Sequence, residues 1–170
     1  MLAITGNLLS TEDKRFIRYA TIYTLDYLMP NIERKDYKLL IDVAPKGKRD
    51  CMAECAPFYK AKKPCRKASV WVNETFIHSE YKTVFNRIDE NFRKYLFHEL
   101  VHVKQYMIGE LKDLTCNKYM YKGVMYKSSD DDDLEGYYMA PYEMEARAYE
   151  DWLNVRFRNH LNVARGLESG

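Results

Sequence analysis

The chain has no long apolar run: no stretch of its 170 residues approaches the ~20 apolar residues of a membrane-spanning helix. It also lacks the charged start, apolar stretch and small-residue cleavage site of a signal peptide. Internal repeats and low-complexity linkers are absent, and this length suits one folding unit. We therefore expect a single domain spanning residues 1–170, located in the cytoplasm and without a membrane partner.

A strong net charge is also lacking, since 27 basic and 25 acidic residues give a formal value of +2. A balance this small does not by itself indicate a nucleic-acid partner. Hydrophobic residues make up 46% of the chain and charged residues 31%, which indicates a folded protein with a sizeable core. The exception is residues 46–67, where eight basic residues accompany two acidic ones. We predict that this segment is a basic, cysteine-containing excursion on the surface.

Cysteines are few, and their spacing does not indicate a structural zinc site. Cys51-x3-Cys55 and Cys65 lie close together, but the paired Cys-x2-Cys spacing of zinc ribbons and fingers is missing. In a cytoplasmic setting thiols stay reduced. We therefore expect the four cysteines, including Cys116, to be reduced or structural.

Three segments have the spacing and end signals of helices. Ser10 followed by acidic residues indicates a helix start, and Pro30 its end. Helical spacing of apolar residues then runs from about residue 83 to Gly109. A last helix begins at Pro141 and continues to roughly residue 163.

Between the helices, three segments have the composition of strands. Residues 36–44 and 68–73 are rich in β-branched and apolar residues, and residues 118–127 indicate a hairpin. Strands mixed with helices in this order predict an α+β fold, in which a small sheet carries a few helices.

The strongest motif is His98-Glu99-Leu100-Val101-His102, within the second predicted helix. Residues four apart share one face of a helix, so the two histidines can direct both imidazoles at one zinc ion. Glu99 can accept a proton from a water that zinc has made acidic. The apolar flanks of the motif indicate a buried helix, where histidines without a ligand would be unfavourable. The motif therefore predicts a zinc site.

A catalytic zinc ion needs a third protein ligand and keeps one position for water. The long H-E-x-x-H-x-x-G-x-x-H form is excluded, because Gln105 and Ile108 stand where its glycine and last histidine belong. The remaining source is a carboxylate on the helix after Pro141, which carries Glu143, Glu145 and Glu150.

The first motif, together with Glu143-x-x-Ala146-x-Ala148-Tyr149, resembles the gluzincin group of zinc metallopeptidases, in particular its small, minimal members. The resemblance covers roughly residues 68–160. It implies a zincin-like fold, with a small mixed or antiparallel sheet packed on the active-site helix and a C-terminal ligand helix. It also implies Zn²⁺ as cofactor, a peptide or protein as substrate, and Glu143 as the third ligand.

Two features depart from the family pattern. The family often has an aspartate four residues after the ligand, and Arg147 occupies that place here, which removes the usual partner of a zinc-bound histidine. A helical wheel also predicts that Glu145 is more buried than Glu143. We therefore keep Glu143 as the expected ligand and Glu145 as the alternative, followed by Glu150.

The resemblance implies two further roles. The strand at residues 70–73 precedes the zinc helix as the edge strand of a zincin does, and by analogy it would bind an extended peptide. Tyr137, Tyr138 and His160 are candidates for stabilising an oxyanion. The expected function is therefore zinc-dependent peptide hydrolysis. The alternative is a nucleic-acid- or protein-binding module with a structural or decayed metal site, in which residues 46–67 carry the function.

Overall fold

The computed structural model describes residues 1–45, 51–58, 65–77, 88–114, 117–128 and 133–168. Cys116 lies outside this part of the chain, as do residues 46–50 and 59–64 of the basic segment. Among the described helices, none is both long and apolar enough to cross a membrane.

A mixed sheet of four strands forms one layer of the molecule. Its spatial order is β1-β2-β4-β3, with β1, β2 and β4 parallel and β3 antiparallel to β4. The central strands β2 and β4 supply fully buried branched side chains to the core, as expected for strands covered by helices. The strands are Leu2–Thr5 (β1), Lys38–Ala44 (β2), Ala53–Pro57 (β3) and Lys67–Asn73 (β4).

The position of β4 corrects the expectation of an edge strand at residues 70–73. β4 pairs with β2 on one side and with β3 on the other, so its backbone is committed to the sheet. Among the described strands, β3 forms the sheet edge beyond β4, and it lies inside the segment predicted to be a surface excursion. Its short sequence, with a proline at Pro57, gives little alternation from which a strand could be recognised.

The first helix, α1 (Thr11–Leu28), begins as the sequence predicts. The Ser10 side chain accepts a hydrogen bond from the Asp13 backbone N–H, and the Asp13 carboxylate accepts one from the Ser10 backbone N–H. This reciprocal pair satisfies two amides that the first helical turn leaves unpaired.

The second helix, α2 (Glu90–Met107), carries the histidine motif and packs against β3 and β4. It begins later than the predicted start near residue 83, because Asp89 caps it through the Asn91 backbone N–H. The buried Arg93 guanidinium also donates to the Ile88 carbonyl, 2.7 Å away, which fixes the residue before the cap. Residues 78–87 lie outside the described part of the chain.

The last helix, α4 (Pro141–Glu168), is the main packing partner of α2, and their hydrogen-bonded residue pairs show that the two helices run antiparallel. Ala146, Leu153 and Phe157 are buried on its inner face at helical spacing. The Phe157 ring meets the Phe97 ring of α2 edge-on, with centroids 5.6 Å apart. This packing brings the first turns of α4 beside the histidine motif.

A second, smaller sheet lies between α2 and α4 in the chain. Its three antiparallel strands are β5 (Leu111–Leu114), β6 (Lys118–Tyr121) and β7 (Val124–Lys127). The predicted hairpin is confirmed: Lys122 and Gly123 connect β6 to β7 with φ of 48° and 84°. Positive φ at both positions is the conformation of a tight two-residue hairpin turn, which glycine favours. A five-residue helix, α3 (Leu134–Tyr138), then leads to α4.

The predicted α+β fold is therefore confirmed. A mixed sheet packs on the helix that carries His98 and His102, and the C-terminal helix contributes Glu143 beside them.

Candidate metal centre

The two histidines of the motif lie one turn apart on α2 and converge. The Nε2 atoms of His98 and His102 are 3.1 Å apart, and the two rings meet at 79°. His102 is buried, whereas His98 keeps 14% of its side chain exposed. Helical periodicity alone accounts for their shared face, as the sequence predicts.

Glu143, in the first turn of α4, completes the group. Its Oε2 is 3.2 Å from Nε2 of His98, and its Oε1 is 3.3 Å from Nε2 of His102. The residue is 2% exposed, although the helical wheel predicts that Glu145 is the more buried carboxylate. The wheel was wrong here because the polar edge of α4 faces α2 rather than solvent. Burial raises the pKa of Glu143, but its interactions with the two histidines outweigh this and hold the pKa well below its usual value.

Each histidine has a hydrogen-bond acceptor on its other ring nitrogen. Nδ1 of His98 lies 2.9 Å from Oε2 of Glu150, and Nδ1 of His102 lies 2.8 Å from Oε1 of Gln105. Because a carboxylate and an amide oxygen only accept, each Nδ1 carries the hydrogen. The neutral form of each ring therefore presents the lone pair of its Nε2 to the centre of the group.

With both rings neutral, the two Nε2 lone pairs and the Glu143 carboxylate thus face one another, and a cation relieves their repulsion. In the metal-free protein, a proton on His98 relieves this repulsion. Burial lowers the pKa of His98, but hydrogen bonds to Glu143 and Glu150 raise it to about 10. A metal ion is the alternative cation. Tetrahedral ligands at about 2.0–2.1 Å from zinc lie about 3.3 Å from one another. The 3.1 Å between the two Nε2 atoms is close to that value, and each Nε2 lies 3.2–3.3 Å from one of the two Glu143 oxygens.

Glu150 takes the place of the aspartate that the family pattern would put at Arg147. Glu150 lies seven positions after Glu143, which is nearly two helical turns, so both lie on the same face of α4. Arg147 points elsewhere and stacks on the Tyr138 ring, with its guanidinium carbon 3.9 Å from the centroid. A search for a carboxylate at this longer spacing would have found the partner of His98.

Glu145, the alternative third ligand, is bound elsewhere. Its oxygens accept from Lys104, Gln105, Tyr121 and Lys122 at 2.7–3.1 Å. Burial raises its pKa, but these donors outweigh it and lower the pKa to about 2. The group of possible metal ligands contains His98, His102 and Glu143, and Glu145 is not part of it.

Glu99 faces a cleft beside this group but does not belong to it. The cleft has a volume of about 210 Å³ and is open to solvent between β3, α2 and the start of α4. Glu99, His102 and Glu143 all line it. Burial raises the pKa of Glu99, and the nearby histidines oppose that shift. A buried carboxylate at the wall of a cleft, next to a possible metal site, is placed to accept a proton from water there.

Of the three candidates for oxyanion stabilisation, Tyr137 is the one that lines the cleft. Burial and the charge of Glu143 raise its pKa, and its hydroxyl shares a hydrogen bond with Glu143. Tyr138 packs under Arg147. His160 lies on the other side of α4, where its Nε2 is 2.5 Å from the Tyr19 hydroxyl.

Two cysteines, Cys51 and Cys55, also line the cleft. No disulfide joins Cys51, Cys55 or Cys65, and the expectation for all four cysteines stays a prediction because Cys116 lies outside the described part of the chain. Burial, followed by the charge of Glu99, raises the pKa of Cys55 well above its usual value. A thiol in this environment stays protonated and is a poor metal ligand.

Comparisons of the chain with known protein families, with curated proteins and with solved structures give no match. The chain therefore has, on an α+β fold, a His-His-Glu group that could hold a metal ion.

Proposed function

We propose that the protein is a zinc-dependent metallopeptidase of the gluzincin type. His98, His102 and Glu143 would bind the ion, and Glu99 would act as general base. One observation carries the proposal: two imidazole nitrogens and a carboxylate converge at 3.1–3.3 Å. A hydrogen-bond acceptor at the Nδ1 atom of each ring holds that ring in place. Two histidines and one glutamate form a donor set of catalytic zinc sites, which leave a position for water or substrate.

A zinc ion bound here would supply Lewis acidity, which makes water more acidic and polarises a carbonyl group. The roles of the protein groups follow from their places. The Glu99 carboxylate accepts the proton of the attacking water and returns it to the departing amine nitrogen. Its burial supports this role, because a raised pKa makes the carboxylate a better proton acceptor near neutral pH.

Tyr137 is the proposed donor to the oxyanion. Its hydroxyl already lies within hydrogen-bonding reach of Glu143 at the cleft wall. Burial raises its pKa, so the hydroxyl keeps its proton and can donate it as a hydrogen bond to the carbonyl oxygen under attack.

The edge strand β3 supports a peptide as substrate. The Phe58 N–H bonds to the Lys67 carbonyl, and the Asn73 N–H to the Met52 carbonyl, both at 2.9 Å. In an antiparallel ladder, alternate residues direct their backbone groups at the partner strand. Ala53 and Cys55, between those pairs, therefore direct theirs outward, and both line the cleft. An extended peptide could add to this edge beside Glu99.

The alternative role as a nucleic-acid- or protein-binding module stays a prediction. It depends on residues 46–67, much of which lies outside the described part of the chain.

The test compares wild type with Glu99→Gln after zinc reconstitution, using a mixed library of unstructured peptides. We expect both proteins to bind zinc, and the variant to cleave about 10²–10⁴-fold more slowly because its amide cannot accept the proton. Glu12→Gln, the same change on the exposed side of α1, is the matched control and should cleave like wild type. A wild type that binds no zinc, or a Glu99→Gln variant with full activity, would overturn the proposal.

A further inference from the structure

The Gln105 side chain is fully buried, and its amide has only one possible orientation. Its Nε2 lies 2.9 Å from the Tyr142 carbonyl and 2.8 Å from Oε2 of Glu145. Both neighbours are acceptors, so the two amide hydrogens are used there and Oε1 faces Nδ1 of His102. Rotating the amide by half a turn would set its oxygen against two acceptors.

This orientation determines which nitrogen of His102 carries the hydrogen. Because Oε1 of Gln105 only accepts, Nδ1 of His102 must donate, and Nε2 keeps the lone pair that a metal requires. An amide turned the other way would offer a hydrogen to Nδ1 and favour the tautomer that cannot bind zinc through Nε2.

Glu145 is in turn held by donors from three elements. Its Oε1 accepts from Lys104 and Lys122, each at 3.1 Å, and its Oε2 accepts from the Tyr121 hydroxyl at 2.7 Å and from Gln105. Tyr121 ends β6, and Lys122 forms the hairpin turn. The carboxylate that orients Gln105 is therefore fixed by the smaller sheet as well as by α2.

We propose that Glu145 is a positioning residue for the metal site: it binds an amide hydrogen of Gln105, turns the Gln105 oxygen toward His102, and so holds His102 in its metal-binding tautomer. The proposal rests on the proposed zinc site. It gives the smaller sheet a function, because the β6–β7 hairpin holds the outer end of the chain of hydrogen bonds that runs through Glu145 and Gln105 to His102.

The test measures zinc affinity by competition with a chelator for Gln105→Leu, for Glu145→Leu and for the double variant. Loss of a partner behind a zinc-bound histidine typically weakens binding about 10–100-fold. We expect each single variant to lose zinc affinity by a factor in that range. The double variant should lose no more affinity than the more damaging single variant, because both substitutions break the same chain of hydrogen bonds. Glu110→Leu is the matched control: Glu110 also binds Lys104, at 2.5 Å, yet should leave affinity within about threefold of wild type.

A second readout reports on His102 itself. In the cobalt-substituted protein, the Nδ1 proton of each zinc-binding histidine gives a shifted signal that disappears when it exchanges quickly with water. We expect the His102 signal to persist in wild type and in Glu110→Leu, and to be lost in Gln105→Leu and Glu145→Leu. A loss of folding stability alone would not remove one histidine signal selectively.

The isosteric exchange Gln105→Glu with Glu145→Gln keeps the test decisive if leucine at 145 prevents folding. Gln105→Glu alone opposes two carboxylates and should weaken zinc binding. Adding Glu145→Gln should restore part of the affinity, because the new amide can donate to the carboxylate at position 105 while the Tyr142 carbonyl still opposes it. Failure of this rescue, independent effects in the double variant, or unchanged affinity in Glu145→Leu would each overturn the inference and leave the zinc site standing. A wild type without zinc affinity would overturn both.

Discussion

Removing the carboxylate behind His98 is the perturbation whose size the structure defines best. Glu150→Ala deletes the acceptor that lies 2.9 Å from Nδ1 of His98. The ring then loses the group that orients it and that keeps its hydrogen on Nδ1. Zinc affinity should fall, while the fold should persist because Glu150 is not part of the core.

The size of the expected loss of zinc affinity follows from the solvent exposure of the two side chains. His98 is 14% exposed and Glu150 27%, so water can replace part of the lost hydrogen bond. Loss of such partners costs about 10–100-fold in affinity, and solvent access places this one near 10-fold, or about 1.4 kcal/mol. Gln105 is fully buried, so no water can substitute for it, and its loss should lie nearer 100-fold.

Chelator competition at fixed pH measures these affinities. The matched control is Asp151→Ala, which removes the same charge from the next residue of α4, where Asp151 pairs with Lys94 at the surface. Its effect should stay within about twofold, because exposed ion pairs contribute little. Wild-type affinity in Glu150→Ala, or an equal loss in Asp151→Ala, would refute the idea that Glu150 acts on zinc through His98.

Three further outcomes are expected. In the metal-free protein, the His98 ring signal followed by NMR should titrate near pH 10, and Glu150→Gln should lower that midpoint. The pKa of His98 in the folded protein lies above the unfolded value of about 6.5. Its contribution to folding stability should therefore be fully present below pH 6.5 and lost toward pH 10. Phe157→Ala should lower the free energy of unfolding, measured in urea, by about 3–5 kcal/mol, because the ring is fully buried against Phe97. The control Val163→Ala, at a residue that is 66% exposed, should change this free energy by less than about 0.5 kcal/mol. Tyr137→Phe should lower kcat about 10²–10³-fold with little change in KM, and an unchanged kcat would remove Tyr137 from the mechanism.

The parts of the fold that could be predicted from the sequence are those with strong local signals. The Ser10 cap, the strands around Ile41 and Val70 and the turn at Gly123 each depend on a few neighbouring residues. Strand β3 could not be predicted in this way. Its pairing depends on a partner more than ten residues away, and its own composition has no clear alternation.

The same distinction, between features set by neighbouring residues and features set by tertiary packing, applies to the candidate site. His98 and His102 share a face through helical geometry alone, so their spacing was sufficient. Glu143 is brought to them by the packing of α4 on α2, and a wheel drawn for α4 by itself cannot show which polar edge becomes buried. Gln105 and Glu150 were not predicted as partners of the histidines, because no sequence motif identifies either residue in that role. Their hydrogen bonds to the histidines become visible only in the folded structure.

X-ray absorption at the zinc edge, on the protein loaded with one equivalent of zinc, tests the central claim most directly. The claim predicts a shell of nitrogen and oxygen ligands at about 2.0–2.1 Å that contains two imidazoles. Glu143→Gln should bind zinc more weakly, while Glu145→Gln should keep the same shell because its oxygen can still accept from Gln105. A sulfur ligand at about 2.3 Å would contradict the account and move the metal to the cysteines of the cleft, and a wild-type protein that retains no zinc would exclude the site altogether.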